Sequence, residues 1–114
     1  MDKLKVLIEK FIEASIIHGE ESWNGNYKEG NKQYKIKTKC FEKIKTFAND
    51  WQNEILKLLN HENGYVRVSA AYRTLSFNPD EAVKTLKALL NEPKGVGFDA
   101  KMLLSEWEKG NLKF

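Results

Sequence analysis

A single cysteine, Cys40, in 114 residues excludes an internal disulfide framework and any zinc site built on several thiolates. The two histidines, His18 and His61, stand 43 positions apart without Cys, Asp or Glu at ligand spacing, so neither an HExxH motif nor a zinc-finger pattern is present. Arginine is scarce as well: Arg67 and Arg73 are the only two. Apolar runs are short, and none approaches the roughly 18 residues of a membrane-spanning helix. The opening Met1-Asp2-Lys3-Leu4-Lys5 leads into an amphipathic pattern rather than an unbroken apolar one. The expectation is a soluble, cytoplasmic chain with no membrane partner and no metal or other cofactor.

Core-forming material is ample. Hydrophobic residues make up 41% of the chain, aromatics 11% and charged residues 31%, a balance that excludes intrinsic disorder. At 114 residues, one domain over 1–114 is expected. The net charge of +3 is small, but it is unevenly spread. Residues 1–27 carry −2, residues 28–45 carry +5, and residues 46–114 are neutral.

Leu4, Leu7, Ile8, Phe11, Ile12 and Ile16 follow the spacing of a helix with one buried face, and His18-Gly19 reads as its end. Trp23-Asn24-Gly25-Asn26 reads as a turn. The next segment, Tyr34-Lys35-Ile36-Lys37-Thr38-Lys39-Cys40, alternates as a strand does. A helix accounts for a longer stretch, with Ile36, Cys40, Ile44 and Phe47 on one face, extended by Tyr34, Phe41 and Ala48. Lys28, Lys32, Lys35, Lys39 and Lys43 then align on the opposite side. No second strand-like run exists to pair with residues 34–40, so the helix is the reading adopted.

The C-terminal half repeats. Ile55-Leu56-Lys57-Leu58-Leu59-Asn60 matches Leu86-Lys87-Ala88-Leu89-Leu90-Asn91 at an offset of 31. Each block is followed by a short loop and a second helix, with stripes Val68, Ala71, Tyr72, Leu75 and Ala100, Leu103, Leu104, Trp107. Asn78 is placed to cap the helix begun by Pro79. The predicted architecture is all-α, about six helices as stacked antiparallel hairpins: an N-terminal cap pair over 1–49 and units over 50–77 and 78–110.

The stretch Asn63-Gly64-Tyr65-Val66-Arg67-Val68-Ser69-Ala70-Ala71 resembles the start of the second helix of a HEAT repeat, with its Val-Arg-x-x-Ala-Ala signature. Phe77-Asn78-Pro79-Asp80-Glu81-Ala82 and the block from Gly97 to Trp107 resemble a small bacterial HEAT-like (armadillo-type) family of unknown function. That resemblance covers residues 50–110 and implies a right-handed α-α superhelix without established catalysis. It also implies an occasional place beside secreted-toxin systems, where small helical proteins serve as immunity partners. Two repeats are fewer than a solenoid usually needs, which assigns the N-terminal helices the role of a third layer.

No catalytic constellation stands out. Cys40 falls on the predicted apolar face, His61 near a helix end suited to its dipole, and Asp99 in the first turn of the last helix. Gly95-Val96-Gly97 lacks the lysine placement of a phosphate loop and reads as a tight turn. Two surfaces are candidates for binding. The first is the lysine stripe Lys28, Lys32, Lys35, Lys39, Lys43, about 22 Å long at 1.5 Å per residue. The second is the exposed side of the repeat helices, Ser69, Arg73 and Ser76 in one unit and Lys101, Ser105 and Glu108 in the other.

The leading expectation is a non-enzymatic protein that binds another protein, a toxin or effector of the same cell. Nucleic-acid binding through the stripe is the alternative, weakened by the lack of arginine forks within it. A small enzyme or ligand-binding protein is the third reading, requiring His61, Asp99 or Glu106 to meet in a pocket.

Overall fold

The computed structural model describes residues 2–114, and among these all regular structure is helical. In chain order the helices are α1 (Lys3–Trp23), α2 (Tyr27–Phe47), α3 (Trp51–Leu58), α4 (Gly64–Thr74), α5 (Pro79–Ala88) and α6 (Val96–Glu108). The all-α expectation and the count of six therefore hold among the described residues. By internal packing the chain divides into two compact units, one up to Asn53 and one from Glu54 onward.

The first unit is built on a pair of 21-residue helices. Asp2 caps α1 by accepting from the Leu4 and Lys5 amides, and Asn26 caps α2 by accepting from Glu29. Between them Gly25 turns the chain with φ of 84°, a left-handed conformation. Ser22 lies against Gly30, His18 against Lys37, and Phe11 against Phe41. Sequence separation grows with distance from the turn, so α1 and α2 run antiparallel. Phe11 and Ile44 are fully buried. Each such side chain contributes roughly 1.5–3 kcal/mol of burial. Phe41 also meets the Trp51 ring edge-on, with centroids 5.6 Å apart.

Two sequence expectations change here. The first helix does not stop at His18-Gly19 but continues to Trp23, because a glycine in a packed helix costs only about 1 kcal/mol. The inner face of α2 is also rotated from the predicted one. Gly30, Lys37, Cys40, Phe41 and Ile44 are buried, while Tyr34, Ile36 and Phe47 are exposed.

In the second unit, α4 packs against both α5 and α6, and α5 packs against α6. Helix α4 is consequently buried around most of its circumference, through Val66, Ser69, Ala70, Ala71, Arg73 and Thr74. Asn63 caps it by accepting from Tyr65 and Val66, and the Tyr65 hydroxyl donates to the Lys94 carbonyl at 2.6 Å. Helix α5 begins as its sequence predicts, with Asn78 as cap, Pro79 in the first turn and Asp80 and Glu81 beside the positive helix end. The stripe expected to bury α6 is only partly buried: Ala100 is enclosed, while Leu103, Leu104 and Trp107 are half-exposed.

The turn into α6 depends on glycine. Gly95 has φ of 90°, and a Cβ at Gly97 would collide with the Leu90 carbonyl and lie 2.9 Å from the Glu92 carbonyl oxygen. The Gly97 amide instead donates to Glu92 at 3.1 Å. The Gly95-Val96-Gly97 stretch is a close backbone crossing.

Candidate interaction surfaces

The lysine stripe is a continuous surface in the structure. Lys28, Lys32, Lys35, Lys39 and Lys43 are all exposed on α2, opposite the side that packs on α1. At 100° per residue the five cluster about one line, with Ile36 beside it and the 54% exposed Phe47 near its end. Tyr27 and Tyr34, 69% and 50% exposed, stand farther round α2, between the stripe and the side that packs on α1. The local cause is the spacing: lysines at i, i+4 and i+7 share a helix face, and the inner face is satisfied by the aromatic and aliphatic set around Phe41 and Ile44. Where the stripe reaches Lys43, a groove of about 520 Å³ opens, lined by Leu7, Glu42, Lys43, Thr46 and Phe47.

Lys37, on the same helix but outside the stripe, behaves differently, and the alternating pattern of the sequence does not distinguish it. Lys37 is 5% exposed and its Nζ is hydrogen-bonded with His18 Nδ1 at 3.0 Å. The Tyr34 ring lies 5.5 Å from the His18 ring and 5.6 Å from Lys37 Nζ, centroid distances that join the three into one cluster. A sequence signal existed: Lys37 stands seven residues from Gly30 and from Ile44, on the same helix face as both.

The second predicted surface does not assemble as expected. Ser69 and Arg73 are 5% and 6% exposed, buried rather than facing solvent, because α4 is enclosed by its neighbours. Arg73 Nη1 donates to the Ser69 carbonyl at 3.1 Å, and its guanidinium lies 5.3 Å from the Tyr72 ring centroid. Ser76 is exposed but lies beyond the end of α4, where its hydroxyl donates to the Arg73 carbonyl. On α6, Lys101 and Glu108 are exposed and Ser105 is half-buried.

The residues of the catalytic alternative are separately occupied or placed. His61 Nδ1 accepts from the Asn63 amide at 3.0 Å, shaping the loop before α4, and Glu106 accepts from Asn111 Nδ2 at 2.9 Å. Asp99 is exposed in the first turn of α6. None of the three lines the groove beside Phe47 or the groove beside Arg67. Cys40 is buried on the inner face of α2. Among the described residues no three His, Cys, Asp or Glu side chains converge to hold a metal ion, and no helix is long and apolar enough to cross a membrane.

A second groove, of about 360 Å³, lies in the second unit around Arg67. Arg67 Nε donates to the Leu59 carbonyl at 3.1 Å, which ties the side chain to the end of the preceding helical segment.

No protein-family model and no curated protein matches the chain. Its fold is similar to that of the protein RPA1889 from Rhodopseudomonas palustris CGA009, known from a crystal structure. The two are 22% identical, the match covers 98% of this chain and 93% of that one, and the TM-score is 0.82. At that identity the likeness is one of fold.

Proposed function

We propose that this chain is a non-catalytic binding protein whose α2 face receives an acidic surface of another protein. The observation that carries this reading is the five exposed lysines on one side of α2, ending at a groove with an exposed phenylalanine. Charge gives attraction and orientation, while Phe47 and Leu7 offer the apolar anchor that a lysine row lacks. In this reading residues 50–110 stack as the hairpins of a right-handed HEAT-like superhelix, and the partner is a toxin or effector of the same cell; the sequence resemblance supports both.

The paired substitution Lys32→Glu and Lys39→Glu tests the surface. Stoichiometric recovery of an acidic protein from the native cell with the wild-type chain, lost with the variant and weakened by salt, is the expected result. Recovery of the same partner by both chains would sink the proposal.

Tyr27 and Tyr34, exposed on the same helix as the lysines, favour a second reading, single-stranded nucleic acid, since bases stack on such rings. Both arginines belong to α4 and none to α2, so α2 itself brings no guanidinium fork of the kind common in such sites. Retention of RNA or single-stranded DNA near physiological ionic strength, with a steep logarithmic salt dependence, would place this reading ahead of the first.

A further inference from the structure

The groove around Arg67 has a chemistry of its own, separate from the lysine face. It is walled by the end of α3, by α4 and by one side of α5 along its length, and its volume of about 360 Å³ lies within the range of small-molecule sites. Leu56, Leu59 and Ala88 give it an apolar side. Arg67, Lys84 and Glu81 give it charge.

Arg67 is the fixed point. Its Nε is engaged by the Leu59 carbonyl, which holds the guanidinium plane from within the unit and leaves the terminal N–H groups for a ligand. Among the described residues neither Arg67 nor Lys84 takes part in an ion pair, although both line the groove. Two cations against the Glu81 carboxylate leave the lining at +1. A monoanion brings that to zero, whereas a phosphate dianion would put excess negative charge beside Glu81. A planar carboxylate also matches the two terminal NH2 groups of Arg67, which present one N–H each side by side.

We infer that this groove binds the carboxylate of a small monoanionic ligand, held on the Arg67 guanidinium with Lys84 at the rim, its apolar stem lying on Leu56, Leu59 and Ala88.

The test is a titration of the whole ¹⁵N-labelled chain, followed by amide chemical shifts, with hexanoate as the probe. Hexanoate is expected to shift the amides of Asn60, Arg67, Thr85 and Ala88 along a saturating curve. Acetate should act on the same amides more weakly by about tenfold or more, because it has no stem to bury. Hexylammonium and inorganic phosphate should leave them in place. Arg67→Gln is expected to abolish saturation; because Arg67 also tethers the Leu59 carbonyl, two further variants keep the test independent of folding. Ala88→Leu fills the apolar side and should remove hexanoate binding with the spectrum otherwise dispersed, and Lys84→Gln should weaken it about threefold, as loss of one partly screened charge. The Lys32→Glu and Lys39→Glu chain should bind hexanoate as the wild type does, so failure here and failure of the α2 proposal are distinguishable. Non-saturating shifts, phosphate matching hexanoate, or unchanged binding in the Ala88→Leu chain would each overturn the inference.

Discussion

A methyl group added at Gly97 would meet the carbonyl oxygens of Leu90 and Glu92, and these are main-chain atoms that cannot swing aside as a flexible side chain would. Gly97→Ala is therefore expected to destabilise the second unit by about 1–3 kcal/mol or more, seen as a lower urea midpoint. Lys37 makes a contrasting case. Its long stem fills space on the inner face of α2 and its ammonium bonds to His18, so both volume and hydrogen bonding are at stake. Lys37→Ala should cost roughly 1–3 kcal/mol, whereas Lys37→Met, which keeps the volume and removes a charge from the interior, should recover most of that loss. A Met variant as unstable as the Ala variant would show that the hydrogen bond, rather than packing, dominates.

At the scale of the element, the caps rank the helix starts. Asn63 accepts from two amides of α4, the nearer at 2.9 Å, while Asn26 accepts from one amide of α2 at 3.4 Å. Asn63→Ala is expected to cost about 1 kcal/mol and Asn26→Ala distinctly less, compared by thermal unfolding. The sequence made helix identity readable because apolar periodicity outlasts local ambiguity: residues 34–40 alternate like a strand, yet the pattern to Phe47 fits only a helix. Which side of a helix faces inward was less readable. In α2 the residue that completes the inner face between Gly30 and Ile44 is a lysine, which a hydrophobicity pattern assigns to water. In α4 the exposed side was inferred from polarity, but enclosure by α5 and α6 buries Ser69 and Arg73 as well. The Arg67 groove left no linear trace, since Leu56, Arg67 and Lys84 come from three separate helices.

For the whole molecule, the lysine face is the main local excess of one charge sign. Successive stripe lysines four residues apart are about 6 Å apart along the axis, inside a Debye length of roughly 10 Å at 0.1 M salt. Capture of an acidic partner should therefore slow as salt rises, by a change in association rate more than in dissociation rate, measurable by stopped-flow mixing. The same proximity acts inward. Like charges at such helix spacings cost about 0.2–0.5 kcal/mol per pair, so the first unit folds against a standing repulsion. Moderate salt should raise its melting temperature even as it weakens partner capture, and Lys32→Gln with Lys39→Gln should raise it without salt. If an acidic protein seats on the stripe as proposed, it would do what the added ions do, releasing that tension while bound, so the proposed docking helix would be steadied by what docks on it.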